Sequence, residues 1–119
     1  MNAMEKLDVF KRGHLLTVTI YKITNTFPKT ECYNLVSQMQ RAAVSINSNL
    51  AEGGARNTDG EKKHFVGIAR GSVAELSYQL LLAKDLGYIS EEEFNKYNKE
   101  INEIRMMLTG LLKKIDSNL

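Results

Sequence analysis

The sequence holds few of the residues that interrupt or cross-link a chain. One proline, Pro28, stands among 119 residues. Proline lacks a backbone N–H and breaks helix interiors, so its scarcity favours long uninterrupted helices. The one cysteine, Cys32, excludes an intrachain disulfide and fits a reducing compartment, so a cytoplasmic protein is the expectation. No segment approaches the roughly 18 apolar residues of a membrane span, and no membrane partner is expected. The opening residues, MNAMEKLDVFKRG, carry acidic groups and no apolar run, which argues against a signal peptide. Net charge is only +2, too little to mark a nucleic-acid binder by itself. Its distribution says more. Residues 1–70 hold 10 Lys and Arg against 6 Asp and Glu, whereas residues 71–119 hold 6 against 8.

What is present is an ordinary globular composition, 43% hydrophobic and 25% charged, in a length that suits a single domain, residues 1–119, with one core. Four helical registers emerge. Val9, Gly13, Leu16, Ile20, Ile23 and Phe27 recur in steps of 4, 3, 4, 3 and 4, which is one face of a helix that ends before Pro28. Cys32, Leu35, Met39, Ala42 and Ile46 form a second seam, flanked by Val36, Ala43 and Leu50. Gly53-Gly54 is expected to stop that helix with a left-handed cap. Thr58 to Glu61 reads as a capping box. It opens a third helix with Phe65, Ala69, Ser72, Leu76 and Ala83 on one face, Val66, Val73 and Leu80 beside them, and Leu86-Gly87 as its end. Ser90 to Glu93 is a second box, whose carboxylates suit the positive end of a helix dipole. The fourth register is Phe94, Tyr97, Ile101, Ile104, Leu108, Leu111 and Ile115. No strand alternation competes, and short loops favour antiparallel neighbours. The fold predicted is all-α, an up-down antiparallel four-helix bundle.

The second helix also carries a long polar stripe. Gln38, Arg41, Ser45, Asn49, Glu52 and Arg56 step by 3, 4, 4, 3 and 4, about 100° round the helix from the apolar seam. The third helix has Gly67 and Gly71 four apart, with Arg70, Glu75 and Gln79 nearby. Small residues would let two helices approach closely and enclose the charges beside them. A solvated face is the alternative, but such faces are usually rich in Lys and Glu. Arg, Asn, Ser and Gln suit fixed hydrogen-bond geometry. The expectation is a buried or intersubunit polar network of Gln38, Arg41, Ser45, Asn49, Glu52, Arg70 and Glu75, since buried charges survive only when paired.

Catalytic signals are absent from the pattern. Glu61 and His64 have an E-x-x-H spacing, but di-iron bundles use two such motifs and two more glutamates, and this one sits in a first helical turn. His14 has no ligand partner at helical spacing and is placed at the bundle edge. No metal or cofactor is expected. Residues 53–63 fail as a phosphate loop, because Glu61 follows Gly60 where Lys is needed. Ser45, Ser48 and Ser72 lack an attendant His and Asp, so no enzyme is expected. Cys32 reads as core, and Met106-Met107 as core or subunit contact. One binding cluster stands out. Arg56, Lys62, Lys63 and His64 gather at the start of the third helix, whose free N–H groups favour anions such as RNA phosphates. Lysines that merely solvate a loop are the other reading. No aromatic platform for reading bases is visible.

The segments LDVFKRG (Leu7 to Gly13), IYKIT (Ile20 to Thr24), FPKTE (Phe27 to Glu31), QMQRAAVSINSNLAEGGAR (Gln38 to Arg56) and FVGIARGSVAEL (Phe65 to Leu76) resemble the bacterial four-helix-bundle proteins of the 23S rRNA intervening-sequence, or S23, family. The resemblance spans about residues 7–89, with the fourth helix matching only in register. Asn47 stands where that family usually has proline, and Phe10 where tryptophan is common. The resemblance implies homo-oligomeric rings, often pentamers. The family's name records genes lying within insertions in ribosomal RNA genes, a location and not an activity. Related retroelement accessory proteins bind RNA and a reverse transcriptase, so RNA and a second protein are both implied partners. Two functions follow: an oligomeric RNA-binding module, or an interaction scaffold with no role for nucleic acid.

Overall fold

The apolar registers become the inner faces of four helices. The computed structural model describes residues 2–119. Helix α1 spans Asp8–Thr24, α2 Leu35–Gly54, α3 Asp59–Asp85 and α4 Glu91–Asp116, with 3₁₀ turns at Met4–Lys6 and Lys29–Glu31. Each helix packs on the next, and α4 returns to α1. Among the described residues the backbones of the diagonal pairs α1/α3 and α2/α4 stay more than 8 Å apart, with the core side chains between them. The result is the expected up-down bundle, 45 Å long, a length set by the 27 residues of α3 at about 1.5 Å each. Ile20, Met39, Ile46, Leu50, Leu76, Leu80, Ile101, Ile104 and Leu108 are fully enclosed along its axis.

Local chemistry sets the ends. Ser90 Oγ accepts from the Glu93 N–H and Glu93 Oε1 accepts from the Ser90 N–H, both at 3.0 Å, a complete capping box. At α3, Thr58 Oγ1 accepts from the Glu61 N–H at 3.2 Å. The Glu61 carboxylate turns instead to the Thr58 hydroxyl, so that box is half formed. Gly87, at φ 81°, closes α3 in the left-handed conformation that glycine tolerates.

Two expectations are corrected. Gly53 and Gly54 do not cap α2; both are helical, and their conformation is not left-handed. Their role is close approach. A Cβ on Gly53 would lie 3.1 Å from Phe65 Cβ, and one on Gly54 would lie 2.6 Å from Met4 Cβ. Cys32 is not core. Helix α2 begins three residues after it, and the turn before Leu35 leaves the thiol exposed.

The α1/α4 seam is the least closely packed of the four. At its lower part the Arg12 guanidinium donates to both Glu100 oxygens at 2.9 Å and also meets Glu103. Those hydrogen bonds, first to Glu100 and then to Glu103, hold the guanidinium's pKa above its ordinary range. Further up, the helices part around a groove of about 460 Å³ lined by Leu15, Leu16, Thr19, Ile23 and Tyr97. The packing sets unequal costs for its members. Leu76→Ala, at a fully buried site, is expected to lower the unfolding free energy by about 2–5 kcal/mol. Ser90→Ala, which removes a cap, is expected to cost about 1 kcal/mol. Urea titration measures both.

Candidate functional site

Side-chain length decides which part of the polar stripe is buried. Helices α2 and α3 are the most extensively packed pair. They meet through small residues, with Ala42, Ala69 and Ser72 all buried. Ser72 donates to Ser45 Oγ at 2.8 Å. Asn49 Nδ2 donates to the same hydroxyl at 2.9 Å and to the Ser45 carbonyl at 2.7 Å. Of the predicted network, Ser45 and Asn49 are thus joined, and Ser72 completes the ladder.

The long side chains are not part of it. Gln38, Arg41, Glu52, Arg70 and Glu75 are exposed. Glu52 pairs with Arg56 one turn along α2. Among the described residues, Arg41, Arg70 and Glu75 form no salt bridge. The expectation that these charges leave water together inside one chain is therefore corrected. A crossing close enough for two serine hydroxyls to touch has no room for a guanidinium, so the longer chains lie beyond its rim.

The α3 glycines are corrected in the same way. A Cβ built on Gly67 or Gly71 would meet nothing within 4 Å, so neither serves an approach between helices of this chain. They lie with Ala74, Tyr78 and Leu81 on one outward line, stepping by 4, 3, 4 and 3. Tyr78 is 64% exposed, and Leu81 and the adjacent Ile68 are 39% exposed each. Beside this line, between α2 and α3, a cleft of about 310 Å³ is lined by Gln38, Arg41, Ala42, Ser45, Glu75 and Gln79. Gln79 is 5% exposed, and its Oε1 is enclosed without a hydrogen-bond donor. The sequence marked Gln79 as a neighbour of the stripe but not as buried, since amides on helix faces are ordinarily solvated.

The second cluster is assembled, but its cations are engaged. Arg56, Lys62, Lys63 and His64 surround the α2–α3 turn. Arg56 meets Glu52 and lies 4.9 Å from the centroid of the Phe65 ring. Lys62 Nζ donates to the Arg56 carbonyl at 2.8 Å, and Lys63 pairs with Asp116 of α4 at 2.6 Å. The His64 ring stands edge-on to Phe65. Among the described residues no group of three or more His, Cys, Asp or Glu could hold a metal.

A wider pattern appears only in three dimensions. The up-down topology brings residues 2–16, 45–72 and 104–119 to one half of the bundle, where 10 Lys and Arg stand against 6 Asp and Glu, one of the ten, Arg12, being neutralised across the divide by Glu100 and Glu103. The opposite end, residues 17–44 and 73–103, holds 6 against 8 and all five tyrosines.

The family model described as 23S rRNA-intervening sequence protein matches residues 5–110. The chain belongs to that family. The match runs beyond the motifs of α1 to α3 and takes in most of α4. The two departures from the family's pattern meet in space, for Asn47 Nδ2 donates to the Phe10 carbonyl at 2.7 Å. Among solved structures the chain is similar to a protein of unknown function from the S23 ribosomal protein family of Bacteroides thetaiotaomicron. The TM-score is 0.80 at 23% identity, over 88% of this chain and 98% of that one, a likeness that shows the fold. No curated protein matches the chain. No described helix is long and apolar enough to cross a membrane.

The open space over α3 has a measurable consequence. Glycine in a helix interior costs about 1 kcal/mol relative to alanine, so Gly67→Ala and Gly71→Ala should each stabilise the single chain by up to about that amount. Urea titration at low protein concentration checks this. A loss of stability would mean that something in the same chain occupies the space.

Proposed function

We propose that the chain is a non-catalytic, self-associating binding module that holds phosphates of structured RNA at its basic end. The observation that carries this reading is the separation of charge along the bundle. Local ion pairs consume part of the basic end, yet Lys6, Lys11, Arg70, Arg105, Lys113 and Lys114 form no salt bridge among the described residues. The anion surface is therefore broader than the cluster at residues 56–64, and Lys113 and Lys114 of α4 belong to it. All five tyrosines lie at the other end, so contacts go to phosphates and not to stacked bases.

Self-association is the second half of the reading. The outward face of α3, with its open glycines and exposed Ile68, Tyr78 and Leu81, is the surface on which copies meet. Five copies is the number that the family resemblance implies. A ring multiplies a modest basic end into a strong one, because the second contact is made at high effective concentration. A different reading, a scaffold for another protein, draws on the opposite end, where Tyr33 is 97% and Tyr21 46% exposed.

Filter binding of a structured RNA across salt concentrations tests the first half. Affinity should fall log-linearly with salt, and Lys113→Glu with Lys114→Glu should weaken binding and flatten the slope by about 1 per lost phosphate contact. Absence of binding at low salt, or a constant with no salt slope, leaves the scaffold reading. Light scattering tests the second half. A mass near five times the 13.4 kDa chain is expected, and a monomer removes self-association.

A further inference from the structure

We propose that the groove between α1 and α4 receives about two turns of an acidic amphipathic helix from another protein. Its apolar ridge would lie on Leu15, Leu16, Ile23 and Tyr97, and its carboxylates on Lys22 and Lys96. This surface is separate from the one on which copies are proposed to meet, since α1 stands diagonally across the bundle from α3.

The floor comes from apolar residues that the bundle does not cover. Leu16 and Ile23 belong to the buried register of α1, but Leu15 is 65% exposed. With Tyr97 of α4 they wall the groove of about 460 Å³. From Leu15 to Ile23 the wall advances eight residues along α1, roughly 12 Å at about 1.5 Å each, or two helical turns. The apolar surface then continues from Leu15 over the crest of α1 to the exposed Val18. A small amphiphile would fill the groove and leave that crest in water. A helix, about 10 Å across with its side chains, covers both.

The rim selects for acid. Lys22 and Lys96 line the groove from its two helices and form no salt bridge among the described residues. This half of the bundle is acidic in sum, yet the carboxylates around the groove are engaged within the chain. Glu100 accepts from Arg12 through both oxygens, and Glu103 meets the same guanidinium. Glu93 accepts from the Ser90 N–H. Burial, and then the Glu93 charge, raise the Tyr97 pKa above its ordinary value, so its hydroxyl stays a donor. Two unpaired ammonium groups over an apolar floor match a leucine-type ridge flanked by Glu or Asp, and repel a basic one. The chain's own acidic run, Glu91 to Glu93, opens α4, whose apolar register is spent in the core. The ridge therefore comes from a different protein.

The test uses a fluorescein-labelled helical peptide with Leu at positions i, i+4 and i+7 flanked by Glu, and the same peptide with Lys for Glu. In anisotropy titrations the acidic peptide should bind at least about tenfold more tightly than the basic one. Leu15→Ser, at an exposed position, should weaken it about tenfold. Lys22→Glu with Lys96→Glu should reverse the preference, which a mere loss of packing would not do. Self-association should be unchanged in all variants. The proposal is wrong if neither peptide binds, if both bind alike, or if charge reversal leaves the preference as it was. Loss of self-association in Leu15→Ser would put a second copy in the groove instead. Decanoate that binds with the same dependence on Lys22 and Lys96, where the peptide does not, would make the occupant a small amphiphile. RNA binding weakened by the lysine exchanges as much as by Lys113→Glu with Lys114→Glu would assign the rim to the polyanion surface. Each of these three results overturns the helix.

Discussion

Most of what is distinctive in this bundle follows from how closely α2 and α3 approach. Alanines and serines at the crossing let two hydroxyls, on Ser45 and Ser72, come within 2.8 Å across the seam. Backbones this near bring many apolar contacts with them, which is why Leu50, Leu76 and Leu80 are wholly enclosed. The same closeness turns longer side chains outward. Arg41 and Glu75 stand over the seam because it has no volume for them, and the cleft they frame is the mark of that exclusion. Packing inside thus shapes the chemistry presented outside.

The fold was legible because burial repeats with the helix. Each apolar residue of α1 and α4 named from periodicity is buried or half-buried, and Ser90 with Glu93 forms the cap that their spacing implied. What failed to read through did so for identifiable reasons. Gly53 and Gly54 look like a stop, since glycine's commonest use at a helix end is conformational; here their value is the missing Cβ beneath Phe65 and Met4. Cys32 keeps the seam's register, but the register starts only where the helix does, three residues later. The polar stripe was read as one network because it shares one face. A face tells direction and not depth: Ser45 ends at the crossing, whereas Arg41 reaches past it. Nor does a pattern of small residues tell whether another helix of the chain lies over them, and over Gly67 and Gly71 none does.

Charge shows a related contrast between sequence and space. Along the chain the basic excess belongs to the first 70 residues, a mild bias without an obvious use. Folding draws Lys113 and Lys114 from the last turns of α4 to the same end as Lys6, Lys11 and Lys62, while the acidic run Glu91 to Glu93 goes to the other. The nearest pairs, Lys63 with Asp116 and Arg56 with Glu52, are exposed and contribute little to stability. The remaining field is set by the sum over the end. It extends over roughly a Debye length, about 8 Å at physiological salt, and so acts on a broad polyanion better than on a small anion. Engagement of single lysines in local bonds is therefore compatible with a binding role for the end as a whole.

The outer side of α3 carries costs that the isolated chain has no use for. Two helical glycines forgo about 1 kcal/mol each against alanine, and a buried amide oxygen without a donor costs about 1–3 kcal/mol. Against a typical margin of about 5–15 kcal/mol for a whole domain, these are substantial sums to concentrate on one face. They stand beside three apolar side chains left in water and arginines left unpaired. Each feature alone has an innocuous explanation. Together they gather on one side of α3, the open backbone at Gly67 and Gly71 beside the exposed Ile68, Tyr78 and Leu81. These are the costs that the proposed contact between copies would offset, since it would bury Ile68, Tyr78 and Leu81 against a neighbour at the open glycines.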